Sequence, residues 1–177
     1  MKLFTNQIKL IITVFIFMIT VLGFSQEDDQ NKRIIRLQIY TQNSFDQQST
    51  SSDAIRIEFT DDGYNGIDNR DVVKMNNLDE NLARLHGGTF LTVENRAQPE
   101  DGETLALYID QYSTTNYIFK FDNENFQEFD VILKDNYLNT NLVVNDDDFL
   151  YSFTVNPAIN ASVAFNRFSL LFRRTDF

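Results

Sequence analysis

The 177-residue sequence contains no cysteine, no tryptophan and a single histidine. Without cysteine there are no disulfides, thiolate nucleophiles, cysteine-ligated zinc sites or iron–sulfur clusters. A domain of this composition has to stand on its hydrophobic core, because no staple helps it. Without tryptophan the best stacking platform for a sugar ring is missing. Positive charge is scarce as well: 15 Lys+Arg face 26 Asp+Glu, a formal net charge of −11. Binding to a phosphate backbone needs a clustered basic patch, so the balance argues against nucleic acid. It argues equally against adhesion to an anionic bilayer. Catalytic signatures are lacking too. There is no Gly-x-Ser-x-Gly elbow, and Leu85-His86-Gly87-Gly88 resembles no His-rich metal motif, so His86 reads as a loop histidine.

The one long apolar run lies at the N-terminus. Lys2 and Lys9 precede the uncharged stretch Leu10 to Leu22, and Gly23 and Ser25 are small residues placed for cleavage before Gln26. That is the layout of a secretory signal, and the run is short of the roughly 20 residues of a membrane span. The expected organisation is a signal peptide over 1–25 and one domain over 26–177, with no transmembrane span in the mature chain. The first carboxylate is Glu27, so the leader takes two lysines and no acid with it. The mature domain is therefore more acidic than the whole chain.

The domain itself alternates with period two, and the alternating residues are β-branched or aromatic. Ile35, Leu37 and Ile39 alternate with Arg36, Gln38 and Tyr40; Ile55, Ile57 and Phe59 with Arg56 and Glu58. Further runs lie at 105–109, 117–121, 129–133, 149–155 and 168–172, with shorter candidates at 72–75, 90–94 and 142–144. Turn residues separate them, among them Asp61-Asp62-Gly63, Gly87-Gly88, Asp101-Gly102 and Asp146-Asp147-Asp148. Ten short strands at this spacing predict an all-β domain, an antiparallel β-sandwich of jelly-roll-like form. Asn77 to Leu85 carries Leu78, Leu82 and Leu85 at helical spacing and reads as a crossing helix or a loop. Gln42 to Asp53, apolar only at Phe45, reads as a polar, mobile connection.

The densest chemistry-bearing stretch is Asp61 to Asp71. Calcium wants several oxygens at once, and a glycine-containing loop can wrap them around an ion. Asp61, Asn65 and Gly66 match three positions of an EF-hand loop, but Gly63 and Val72 fail two others. A calcium loop of another type, with Asp61, Asp62, Asp68 and Asp71 as metal ligands, stands against a plain Asp/Gly/Asn turn. Asp146 to Asp148 is a second anionic spot. Tyr40, Tyr64, Tyr112 and Tyr137 are candidate platforms for a sugar, and Asn160-Ala161-Ser162 fits a glycosylation sequon. A pair of carboxylates facing each other across a cleft would suit a glycoside hydrolase, though spacing in the sequence identifies no such pair.

The order of several motifs resembles a known family. Gly66-Ile67-Asp68-Asn69-Arg70-Asp71-Val72-Val73-Lys74 is similar to a Gly-x-Asp segment leading to Asp-Ala-x-Lys. Leu91-Thr92-Val93-Glu94 with Pro99 is similar to Leu-Ala-Ile-Asn with a nearby proline. Leu133-Lys134-Asp135, Leu142 and Tyr151-Ser152-Phe153-Thr154 resemble Leu-Glu-Asp, a leucine and Tyr-x-Phe-Thr, and Arg167-Phe168-Ser169-Leu170-Leu171-Phe172 resembles a closing Arg-Phe-x-Leu-x-Phe. In that order they characterise the β-sandwich domain that precedes the C-terminal sorting domain of many large surface proteins exported by type IX secretion. Arg70, Val72 and Glu94 depart from the family pattern, and the sequence ends at Phe177 with no sorting domain after it. The resemblance implies a jelly-roll-like fold and a surface-associated, non-catalytic role, with cell surface and periplasm both open as destinations.

The expectation is thus an exported binding or structural module that presents loops to a glycan, a cell-surface protein or a matrix component, with calcium as the candidate cofactor. The alternatives are a small carboxylate-dependent glycoside hydrolase and an assembly subunit that adds a sheet edge to a larger surface complex.

Overall fold

In the computed structural model the described residues are 31–175. The segment expected to be a signal peptide, 1–25, lies outside them. Apolar residues at every second position give one sheet face a continuous greasy surface, and the chain satisfies it by curling the sheet onto itself. Eleven strands form: β1 (Arg33–Thr41), β2 (Asp53–Thr60), β3 (Val72–Val73), β4 (Asn81–His86), β5 (Thr89–Ala97), β6 (Thr104–Asp110), β7 (Asn116–Glu124), β8 (Phe129–Asp135), β9 (Thr140–Val143), β10 (Phe149–Thr154) and β11 (Phe168–Arg174). A short helix α1 (Gln42–Asp46) comes directly after β1. The chain is all-β. The strands make one curled mixed sheet in the order β10-β7-β1-β2-β5-β4-β6-β11-β8-β9, with β3 added at β5. Where alternation predicts antiparallel pairing throughout, β2 and β5 run parallel, with β3 and β4 between them in the chain and both antiparallel to β5. Side-chain period is the same in both arrangements, so the pattern cannot distinguish them.

β5 is the corner of the fold. Its first residues, Thr89 to Leu91, pair with β4, and its last, Val93 to Ala97, pair with β2. Between the two halves β3 slips register, Val72 opposing Val93 and Val73 opposing Leu91, so β5 accommodates an extra residue. Such an insertion bends a strand and raises its twist, which lets one strand serve two sheet portions. Gly87 and Gly88, with φ of +54° and +89°, supply the tight turn between β4 and β5 that needs positive φ at both positions.

The core fills the inside of the curl. Ile35, Leu37, Ile39, Ile57, Phe59, Phe119, Phe121, Leu170 and Phe172 are all essentially inaccessible. Aromatic edges lock the far parts together: Phe168 of β11 lies 4.9 Å from Phe153 of β10 and 5.0 Å from Phe119 of β7, centroid to centroid. Edge-to-face contacts of this kind add roughly 0.5–1.5 kcal/mol beyond burial.

Two local expectations are corrected. The stretch from Asn77 to Leu85 is no helix: Leu78 is 99 % exposed, and β4 takes over from Asn81. The connection Gln42 to Asp53 carries α1, whose N-terminus is capped by the Thr41 hydroxyl accepting the Ser44 N–H at 3.1 Å. Phe45 in α1 packs edge-on against Tyr40 at 5.5 Å. No helix among the described residues is long and apolar enough to cross a membrane.

Candidate functional site

The outward positions of β1, β2 and β7 carry polar side chains in register. Arg36 of β1 stands opposite Arg56 of β2 and Asp122 of β7; one row along, Gln38 stands opposite Ala54 and Lys120; the next row brings Tyr40 opposite Ile118. Two adjoining hollows run along these rows. One, about 290 Å³, is lined by Arg36, Gln38, Arg56 and Asp122 over a floor that includes Ala54, Ile55, Thr92 and Val93. The other, about 460 Å³, is lined by Tyr40, Phe45, Asp46, Gln48, Ser49 and Lys120. Arg36 bonds Asp122 at 3.3 Å and also Glu124, whose hydrogen bond is the main reason its guanidinium is held above the usual range. Lys120, raised chiefly by its hydrogen bond to Asp148, lies 2.7 Å from that carboxylate. Arg56 pairs with Glu58, which also takes Lys32 at 2.7 Å. The face therefore combines planar hydrogen-bonding groups, an aromatic ring and shallow concavity.

The proposed calcium ligands are dispersed along their loop and already engaged. Asp61 accepts from Asn31 and Gln98 at 2.8 and 2.9 Å, and these bonds, led by Asn31, hold its carboxyl below the usual range. Arg70 bridges Asp62 and Asp68 at 3.2 Å each, so a guanidinium occupies the middle of the acidic loop. Asp71 points the other way. Its carboxylate accepts the Asn95 N–H at 2.9 Å and the Asp68 N–H at 2.8 Å, while Asn65 accepts the Ala97 N–H at 3.2 Å. Asn95 and Ala97 alternate along the free edge of β5, beyond Val93, which pairs with β3. The loop thus covers a sheet edge with side-chain oxygens in place of a strand. It lies so close that a Cβ on Gly63 would come within 1.9 Å of the Arg96 carbonyl oxygen, which only glycine avoids. Among the described residues no three acidic, histidine or cysteine side chains are grouped to hold a metal ion. Lys74, three residues after Asp71, reaches Asp53 at 2.8 Å with its side chain only 5 % exposed.

Besides Lys74 and Asp53, three charged clusters among the described residues are interior. Asp135 and Arg167, each 1 % exposed, form a bidentate pair that also takes the Tyr151 hydroxyl. Glu80, 1 % exposed, accepts the Tyr117 hydroxyl at 2.7 Å, and burial first among several causes pushes that phenol up to about 12. Glu94 lies 2.8 Å from Arg84, 2.7 Å from His86 Nδ1 and 3.5 Å from Arg96. His86 is consequently the last residue of β4, tethered to an interior carboxylate, and not a loop histidine. Among the described residues no hydroxyl is hydrogen-bonded to its ring.

Of the four tyrosines considered as sugar platforms, Tyr40 lines a hollow and Tyr64 is 60 % exposed, whereas Tyr112 packs on Tyr117 and Tyr137 lies under the Arg167 guanidinium at 5.0 Å. Asp146 and Asp147 line a third hollow of about 530 Å³ with Asn123, Asn125 and Asn145. The sequon serine, Ser162, is buried, its hydroxyl accepting the Asn156 N–H at 2.8 Å. In the sequence Arg36, Gln38, Arg56 and Lys120 stand only as outward spacers; their polar type is visible there but not their alignment. No protein-family model, curated protein or solved structure matches this chain significantly, so the resemblance to the sorting-associated domain rests on the quoted residues alone.

Proposed function

We propose that this chain is an exported, non-catalytic binding module that holds a glycan along the outer face of β7, β1 and β2. The observation that carries the reading is the pair of adjoining hollows, where Arg36, Gln38, Asp122 and Lys120 flank the Tyr40 and Phe45 rings. Sugars present hydroxyls in adjacent pairs and C–H groups on their ring faces. Planar amides, carboxylates and guanidiniums meet the first, and aromatic rings meet the second. The shallowness suits a chain that passes over the surface better than a small molecule enclosed by it.

On this face catalysis is the weaker reading, because each of its two hollows has a single carboxylate in its lining, Asp122 in one and Asp46 in the other, whereas two-carboxylate hydrolysis needs a facing pair. We read the curled sheet itself as a jelly-roll-like sandwich whose two layers share β5, a view supported by the division of β5 between β4 and β2.

The test is affinity electrophoresis of the purified protein in gels containing soluble polysaccharides of different backbones. At least one should retard migration, and Tyr40→Ala should weaken that retardation several-fold at unchanged melting temperature. No retardation by any polysaccharide, or turnover that a single Asp→Asn change abolishes, overturns the proposal.

A further inference from the structure

Arg36 and Arg56 face each other across an antiparallel pair, an arrangement that costs stability because like charges directly opposite repel. Lys120 comes one row along on β7, so three cations sit on neighbouring strands of a protein with net charge −11. Arg36 and Lys120 hold their counterions loosely: the side chains of Asp122, Glu124 and Asp148 are 47 %, 44 % and 76 % exposed. Exposed pairs of this kind contribute only about 0–1 kcal/mol, so a better-placed anion displaces them at little cost. Arg56, 41 % exposed, pairs with Glu58, which is 14 % exposed and shared with Lys32, so Lys32 still satisfies that carboxylate when Arg56 turns to a ligand. Arg84, Arg96 and Arg167 differ: their side chains are 7 %, 4 % and 1 % exposed and committed to interior carboxylates. The hollow between Arg36 and Arg56 has an apolar floor and room for about one sugar ring. Arg56 Nε, enclosed at its edge, has no partner among the described residues.

We propose that this hollow receives the carboxylate of an acidic sugar, and that the proposed glycan ligand is therefore a polyuronate. The proposal rests on the glycan-binding reading and names its ligand class. Guanidinium is planar and matches a carboxylate with two parallel hydrogen bonds, so two facing arginines select a planar anion over a bare point charge. The Tyr40 and Phe45 hollow then takes a neighbouring ring of the same chain, with Lys120 between the two positions.

Affinity electrophoresis or calorimetric titration with polygalacturonate, its fully methyl-esterified form and a sulfated neutral glycan tests this. Esterification keeps the backbone and removes the charge. Polygalacturonate should bind at least tenfold more tightly than the ester, with affinity falling as salt rises. The double variant Arg36→Gln/Arg56→Gln should reduce binding of polygalacturonate to the level of the ester, with an unchanged or raised melting temperature. The Arg36→Lys/Arg56→Lys variant, which keeps the charge and loses the fork, should recover only a small part. Equal binding of acid and ester, tighter binding of the sulfated glycan, or full activity of the glutamine variant each overturns the carboxylate site while leaving a glycan-binding face intact. Absence of binding to every polysaccharide overturns both.

Discussion

Withdrawing Arg167 removes the one cation that satisfies an interior carboxylate. Its Nε donates to Asp135 at 3.0 and 3.2 Å, one terminal nitrogen donates to Asp135 at 2.7 Å, and the other donates to the Thr154 and Ser162 carbonyls, both at 2.8 Å. The guanidinium also lies 4.7 Å from the Phe168 ring centre and 5.1 Å from that of Phe153. In Arg167→Met the thioether keeps part of the aromatic contact, but Asp135 retains only the Tyr151 hydroxyl at 2.9 Å and the N–H groups of Tyr137 and Leu138 at 3.0 and 3.2 Å. Three neutral donors do not neutralise a carboxylate that is 1 % exposed. Breaking such a pair from one side costs about 3–5 kcal/mol, against a total stability of about 5–15 kcal/mol for a domain. Replacing both partners by apolar residues, Asp135→Leu with Arg167→Met, removes the stranded charge, so the double variant should lose less than the two singles summed, by about 1.5 kcal/mol or more. Urea unfolding of the four proteins at neutral pH reads all these terms. A loss under about 1 kcal/mol for Arg167→Met, or strictly additive singles, refutes the reasoning, since either means that water reaches the pair.

Two further outcomes rest on the same structure. Asp71→Ala strips the acceptor from the Asn95 and Asp68 N–H groups and should cost about 1–3 kcal/mol, while calcium and chelator should both leave the melting temperature of the wild-type protein unmoved, because Arg70 already bridges the loop's acids. A rise of several degrees with calcium would overturn that expectation in favour of a metal loop, since tight binding must stabilise the fold. Acid should destabilise the protein steeply. Burial pushes the Asp135 and Glu80 carboxyls up, but Arg167 and Tyr151 in the first case, and Ser113 and Tyr117 in the second, outweigh it and hold both below their ordinary values of 3.8 and 4.5. A carboxyl depressed in the folded state binds fewer protons there than when unfolded. Its contribution is therefore complete above the unfolded value and is lost as pH falls through the folded one. Urea midpoints should hold from pH 7 to about 5 and drop below about 4, and Asp135→Asn should flatten that drop; parallel curves for the two proteins would contradict the assignment.

Faces are readable in the sequence and rows are not. Alternation locates seven of the eleven strands, because Ile35-x-Leu37-x-Ile39 and its counterparts put every second residue into the curl, and short apolar runs mark β3, β5 and β9. β4 escapes because its buried residues include Asn81 and Arg84, and because Leu78, Leu82 and Leu85 imitate a helix although Leu78 faces solvent. β5 carries Glu94 and Arg96 into the interior, and its extra residue reverses the parity midway, so no single period describes it. The polar contacts that matter join residues far apart in the chain: Asp53 with Lys74, Asp135 with Arg167, Asp71 with Asn95. A carboxylate seen alone carries no mark of its partner, which is why the sequence of the loop from Asp61 to Asp71 shows its acids but not the sheet edge that Asp71 covers. The candidate site obeys the same logic. Arg36 and Arg56 are each recognisable as outward-facing, but a two-residue slip between β1 and β2 would keep both outward and separate them by a full repeat along the strands. Register depends on the whole sheet, through Ile35 against Ile57 and Leu37 against Ile55 packing into one core, so the same apolar residues that hold the fold are what set the two guanidiniums abreast.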